Sequence, residues 1–371
     1  MKVLILSMTC GEGHNSIGRA VMKQCGEYGF ECRIADIYDS KPFMKKVYGD
    51  GYLFLCRVAP RFYNRMWHGF KRRKPEDRYK RGIQLQIKSI QPAVLKEIQD
   101  YAPDCIVCTH YYASAIVNNL LRDGHINHRA YALLLDFLPH PFWECSILMN
   151  AVFTPNDMSR EYLVSRGFRD DQIVATGLPV NPKFDIRPDK AAARQTLELP
   201  DRFTALIISG GGGLGVTPKF LKALCRTEKP FQVLCVCGRN KRMKRRIDRM
   251  LKRQKRDNVL TFGFADNIEV MMAAADCVFS RGGGTGLTES INSGLPIIVR
   301  ENMMMNEAEN RDLLLSHNAA LALKKRADAA KALEQLIDSP DLCRTLVENT
   351  KPFSQARAAE RIMEYIINDM K

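Results

Sequence analysis

Continuous apolar runs of strand length, each followed by a helical stretch, constrain the fold of this chain more than any other feature. The runs are Val3–Ser7, Cys105–Thr109, Ala130–Leu135, Ala205–Ser209, Gln232–Cys237, Cys277–Ser280 and Pro296–Val299. A strand that is apolar on both faces must be covered on both faces. Alternation with helices therefore predicts parallel sheets of α/β type. Cys105, Cys108, Cys235, Cys237 and Cys277 lie inside these runs, so they read as small buried hydrophobes instead of disulfide partners. Cys105-x-x-Cys108 has zinc-like spacing, but no second pair stands at a matching distance.

With 371 residues the chain can bury two cores. The expected boundary is Gly177–Lys190, where three prolines and scattered polar residues suit a hinge. The organisation that follows is 1–182, 183–350 and a C-terminal helix within 351–371. That helix carries Ala358, Ile362 and Ile366 at helical spacing and packs on either domain. On each side of the boundary a strand runs into a glycine-rich turn, Ser7–Gly13 and Ser209–Gly215. In doubly wound sheets the C-terminal ends of the strands carry the ligand. No apolar run approaches the roughly 20 residues of a membrane span, and the N-terminal apolar core is too short for a signal peptide. The default location is the cytoplasm.

The net charge of +15 calls for an acidic partner. One basic cluster runs from Arg57 to Arg81, and the wider block from Tyr48 to Arg81 mixes it with Tyr48, Tyr52, Phe54, Phe62, Tyr63, Trp67 and Phe70. Rings beside Lys and Arg suit a membrane interface with anionic lipid, and Tyr63, Arg65, Trp67, Arg72 and Arg73 are the candidate contacts. The alternative is an ordinary loop with core aromatics. The second block, Lys241 to Arg256, places Met243, Ile247, Met250 and Leu251 on one helical stripe. It reads as an amphipathic helix with a solvated charged face, not as a nucleic-acid binder.

Residues 281–310 carry the densest chemistry. A glycine turn opens a helix bearing Glu289, and a further apolar run leads to Asn306, Glu307 and Asn310. Glycines allow close backbone approach, a helix start offers N–H donors to phosphate, and carboxylates and amides suit sugar hydroxyls. Gly210-Gly-Gly-Gly-Leu-Gly215 satisfies G-x-G-x-x-G after a strand. The strand ending at Cys237 is followed by Gly238-Arg239, not by the acid that NAD binding wants. The loop then suits a diphosphate. No D-x-D is present to bridge a metal to one, so neutralisation falls to helix N-termini, Arg239 and Arg281. His14 follows the first strand at a helix start. It is either a general base over the ligand or a capping or packing residue. Asp136 and His140 follow the strand Ala130–Leu135 and either line the site or serve as turn residues.

These pieces, in order, resemble family 28 glycosyltransferases of GT-B architecture, above all the monogalactosyldiacylglycerol synthases and the processive diacylglycerol glucosyltransferases. The likeness runs through G-E-G-H at 11–14, D-F-L-P-H-P-F-W at 136–143, T-G-L-P-V at 176–180, G-G-G-G-L-G at 210–215, C-G-R-N at 237–240, G-F-A-D-N at 263–267, G-G-G-T-G-L-T-E at 282–289 and N-E-A-E-N at 306–310. It implies two Rossmann-like domains facing a central cleft. It also implies an inverting, metal-independent transfer of hexose from UDP-glucose or UDP-galactose to diacylglycerol or a glycosylated diacylglycerol. No cofactor or nucleic acid takes part, and the enzyme is peripheral, on the cytoplasmic face of an anionic membrane. His14 would be the base. Gly211, Gly212, Gly213, Arg239, Phe264, Gly283, Gly284, Thr285, Glu289, Asn306, Glu307 and Asn310 would bind the nucleotide-sugar, with Glu289 on the ribose and the Phe264 backbone beside the uracil. Asp136, His140 and Trp143 would lie on the acceptor side. Glu12 stands where the family has glycine, Asn306 where glutamine is usual, and Arg281 where lysine is common. The rival functions are a UDP-sugar 2-epimerase and an N-acetylglucosaminyltransferase acting on another lipid-linked acceptor.

Overall fold

The structure is a computed structural model. It describes the chain except residues 10–12, 48–50, 52–58, 60–64, 66–68, 70–80, 187, 209–216, 301–304 and 354, and the side chains of 81–83, 305 and 306. The chain divides into two compact units, Met1–Asn181 with Gln355–Lys371, and Pro182–Ser354.

The first unit runs β1 (Lys2–Ser7), α1 (Gly13–Glu27), β2 (Glu31–Asp36), α2 (Arg81–Tyr101), β3 (Cys105–Cys108), α3 (Tyr111–Arg122), β4 (Arg129–Leu133), β5 (Ala151–Thr154), α4 (Arg160–Ser165) and β6 (Ile173–Ala175). Its sheet has the order β2-β1-β3-β4-β5-β6, and all the pairs are parallel. β1 and β3 are apolar on both faces because both are covered. Leu4 and Ile106 join one core, and Val3, Ile5, Cys105 and Val107 join the other. Each such side chain stabilises the unit by about 1.5–3 kcal/mol relative to exposure. β2 is an edge strand with alternating exposure. It escapes a search for apolar runs for that reason.

The second unit runs α5 (Lys190–Thr196), β7 (Thr204–Ile208), α6 (Pro218–Leu224), β8 (Gln232–Val236), α7 (Lys241–Arg253), β9 (Val259–Phe262), α8 (Ile268–Ala274), β10 (Cys277–Ser280), α9 (Gly284–Asn292), β11 (Ile297–Arg300), α10 (Met305–Ser316), β12 (Leu321–Leu323), α11 (Ala329–Asp338) and α12 (Pro340–Glu348). Its order is β12-β11-β10-β7-β8-β9. α7 buries Ile247 and Leu251 and packs Met243 and Met250 against the core, as its stripe predicts.

The last helix, α13 (Ala358–Asp369), returns to the first unit. Ile362, Met363 and Ile366 are fully buried in one cluster with Val3, Ile5 and Ile17. Tyr131 Oη donates to Asp369 Oδ2 at 2.7 Å. The return depends on Gly177, whose φ is +89° and where an added Cβ would stand 2.6 Å from the Gln355 carbonyl oxygen. Gly177→Ala should therefore cost about 2 kcal/mol or more, read as a lower urea midpoint for this unit. An unchanged midpoint would show that the contact yields freely.

In a doubly wound sheet the ligand crevice opens where strand order reverses, outside the strand C-termini. In the first unit that point lies between β1 and β3. In the second it lies between β7 and β10.

Candidate active site

His14 stands at the first of these reversal points, on the opening turn of α1. The preceding turn is anchored from two sides. Ser7 Oγ donates to Asn15 Oδ1 at 2.9 Å, Asn15 Nδ2 donates to Thr9 Oγ1 at 3.2 Å, and the Thr9 N–H donates to Asp36 Oδ2 at 2.8 Å. Gly13 lies so close to the end of β4 that an added Cβ would be 3.1 Å from Leu135 Cδ2. His14 Nδ1 meets the Thr109 carbonyl oxygen at 2.5 Å. A carbonyl only accepts, so the proton sits on Nδ1 and the lone pair on Nε2. Burial pushes the imidazole pKa down to about 4, against the opposing pull of the Thr109 carbonyl. The half-buried ring is thus neutral at pH 7 and in the tautomer a general base needs.

The next residue after that carbonyl, His110, went unnoticed in the sequence. It is 1% exposed, and its Nδ1 caps α3 by accepting the Tyr112 N–H at 3.1 Å. Its ring meets the His14 ring edge-on, with centroids 4.5 Å apart. Tyr111 lies against His110 on one side (4.2 Å) and stacks on His140 (4.9 Å) on the other. His140 is a capping residue as well: its Nδ1 accepts the Phe142 N–H at 2.9 Å and opens the short 3₁₀ helix Pro141–Ser146. Asp136 is half-buried beyond the end of β4. Trp143 is 4% exposed and belongs to the core, edge-on to Tyr111 at 6.4 Å. Of the three residues expected on the acceptor side, His140 joins the ring cluster that reaches His14, and Trp143 supports that cluster from within.

The second reversal point gathers the other candidates. Gly282 turns the chain with φ +84° after β10. Its N–H donates to Ser280 Oγ at 3.2 Å, and its carbonyl accepts from the buried Asn310 Nδ2 at 2.9 Å. Asn310 therefore braces the turn from α10. Gly283 is the N-cap of α9 and supplies no side chain to it, so the N–H groups of Gly284 and Thr285 open the helix without a side-chain cap. Arg281 Nη2 donates to both carboxylate oxygens of Glu307 at 2.9 Å. This pair ties the end of β10 to the first turn of α10.

Glu289 lies one turn further along α9. Burial, and then the nearby Glu269, raise its carboxyl pKa to about 8. Glu269 itself is held by Lys183 at 2.9 Å. At the ends of β8 and β9, Arg239 lies 5.0 Å over the Phe264 ring, which is 54% exposed. The ring itself, and not only the backbone, is thus part of this surface. A second arginine, Arg300, was hidden by its place at the end of an apolar strand. It stacks 5.0 Å over Phe220, and burial together with Arg326 and Arg281 pushes its pKa down. Gly211, Gly212, Gly213, Tyr63, Trp67, Arg72 and Arg73, Glu12 and the Asn306 side chain lie outside the described residues. Arg65 is exposed.

Two Rossmann-like units with strand-end sites define the class, and solved structures agree. MurG of Acinetobacter baumannii superposes with a TM-score of 0.66 at 13% identity, covering 99% of each chain. A UDP-GlcNAc 2-epimerase from Neisseria meningitidis, bound to UDP-GlcNAc, gives 0.64 at 16% identity and covers 99% of this chain and 100% of its own. The fold is GT-B. Residues 14–180 match the family model for monogalactosyldiacylglycerol (MGDG) synthase, and residues 216–353 match that for glycosyl transferases group 1. The processive diacylglycerol beta-glucosyltransferase of Bacillus subtilis is 23% identical over 99% of this chain and 95% of its own length. Both halves of the chain thus match glycosyltransferase models, and over nearly its whole length it is similar to a processive diacylglycerol glucosyltransferase.

Proposed function

We propose that this protein transfers a hexose from a UDP-sugar to diacylglycerol or a glycosylated diacylglycerol, with inversion and without a metal, at the cytoplasmic face of a membrane. The observation that carries it is the His14 imidazole, neutral, with Nδ1 committed to Thr109 and Nε2 left as the acceptor. That nitrogen takes the proton of the acceptor hydroxyl as the oxygen attacks the anomeric carbon opposite UDP. The bond from that carbon to UDP breaks, and the leaving diphosphate is stabilised by the α9 N-terminus and by Arg239 and Arg300. Glu289 accepts hydrogen bonds from the ribose hydroxyls. The matched MGDG synthase model and the Bacillus subtilis relative support the lipid acceptor over nucleotide epimerisation.

Lipid contact is supported by what flanks the basic aromatic block. Lys41 Nζ donates to the Ser89 carbonyl at 2.5 Å, and Gln86 Nε2 donates to Tyr38 Oη at 2.6 Å. These bonds lay residues 38–47 along the first turns of α2. Phe43 (77%), Val47 (45%) and Leu85 (69%) are exposed there. No helix among the described residues is long and apolar enough to cross a membrane. Apolar side chains beside cations fit a surface-bound protein. The double substitution Phe43→Asp/Leu85→Asp should lower sedimentation with anionic phosphatidylglycerol vesicles several-fold. Equal sedimentation with neutral and anionic vesicles would retire the membrane contact. Incubation with UDP-glucose or UDP-galactose and diacylglycerol vesicles tests the reaction. Glycolipid product is expected, whereas epimerised nucleotide or no product would overturn it.

A further inference from the structure

We propose that His110 is a positioning residue for His14: its ring, fixed as the cap of α3, shields one side of the His14 imidazole from water and holds it with Nδ1 on the Thr109 carbonyl. The proposal rests on His14 as the base and concerns what makes that base fit for its work.

Two consecutive groups of one short segment act on His14. The Thr109 carbonyl takes its Nδ1 proton, and the His110 ring packs against its ring at 4.5 Å. His110 has little freedom itself. Its Nδ1 is occupied by the Tyr112 N–H, so its own proton is on Nε2. Protonating Nδ1 would remove the helix cap. His140 is held by the same device, with Nδ1 occupied by the Phe142 N–H. Tyr111 fills the space between them, and Phe142 stacks on both Tyr111 (5.2 Å) and His140 (4.8 Å). The wall behind His14 is therefore a continuous pile of rings with two helix starts locked into it.

The cap duty alone does not call for histidine. Ser, Thr, Asp and Asn cap helices better and are smaller. What histidine adds here is a flat, uncharged surface beside the base. Among the described residues, the groups facing His14 are the Thr109 carbonyl and the His110 ring, and the titratable groups behind them are Tyr111 and His140. His110 is held neutral by burial and by its two histidine neighbours. A neutral wall excludes water from one side of the base and stabilises no imidazolium, so a proton taken up in turnover is readily passed on.

The test separates ring from cap. His110→Asn keeps a capping acceptor and removes the ring, whereas His110→Phe keeps the ring and removes the cap. The His14 imidazole is followed by NMR titration in histidine-labelled full-length protein, beside kcat and the KM for the UDP-sugar. In His110→Asn the His14 pKa should rise from about 4 by at least one unit, with kcat down about tenfold or more and the donor KM within about twofold. In His110→Phe the pKa should stay low while the melting temperature falls. A His14 that titrates in His110→Asn as in the unmodified protein overturns the proposal, whatever the turnover. The titration stands apart from the catalytic assignment, because it reads His14 whether or not His14 is the base.

Discussion

His14→Ala should lose turnover by on the order of 10²-fold or more, with circular dichroism and UDP affinity unchanged. The effect is large because nothing else described near this reversal point offers a free imidazole lone pair: Nδ1 of His110 and of His140 each accepts a backbone N–H. The pH profile carries the same expectation with a definite sign. The base is competent when neutral, so activity is lost as pH falls through its pKa. For kcat/KM of the donor, which reports free enzyme, the acid limb should lie near pH 4. For kcat, the bound diphosphate adds negative charge, which favours imidazolium and should move the limb to higher pH. Stability follows too. An unfolded histidine titrates near 6.5 and the folded one near 4. The unfolded chain thus binds more protons between those values, and acid lowers stability across that window. Turnover in His14→Ala equal to that of the unmodified enzyme would remove it from the base role.

Glu289→Gln should weaken UDP binding by about tenfold or more, because an amide cannot receive two ribose hydroxyls as a carboxylate does. The buried carboxyl keeps its proton to about pH 8. If it binds the ribose as a carboxylate, UDP affinity should climb between pH 7 and 9, above the range near 6 where a terminal phosphate titrates. The Gln variant should show no such climb. The unliganded protein gives an independent sign. The folded state holds the proton between about 4.5 and about 8 and the unfolded state does not, so stability falls as pH rises through that window. Glu289→Gln removes the penalty. It should raise the melting temperature by about 5 °C or more at pH 9 and by little at pH 5. Calorimetry with UDP at three pH values measures both effects, and identical UDP affinity for the two proteins would exclude ribose contact.

The parts of the fold visible in the sequence are those whose physics is local. β1, β3, β8 and β10 are buried on both faces and declare themselves as unbroken apolar runs. β2 and β9 lie at sheet edges, are partly exposed and do not. The glycine turn before α9 and the acid on that helix stand out because few other structures need that spacing. His110 does not stand out: a histidine between a strand and Tyr111-Tyr112 has no local signature. Its meaning comes from Thr109 pairing with His14 across 95 positions of sequence. Arg300 is hidden for a similar reason, since a cation ending a strand reads as a solvated terminus until Phe220 is found beneath it. Glu307 and Asn310 were legible as polar candidates, but their bracing of the Arg281–Gly282 turn is tertiary information.

The first unit is assembled from two distant stretches, and this bears on how the polypeptide is made. Val3, Ile5 and Ile17 are translated before the second unit, yet side chains that share their core, Ile362, Met363 and Ile366, are translated after it. The first sheet must wait with one face covered only in part, by α1, while the whole of Pro182–Ser354 emerges and folds as a contiguous piece. Order of synthesis and order of completion are thus reversed, and a nascent chain stalled before α13 would be the species most in need of a chaperone.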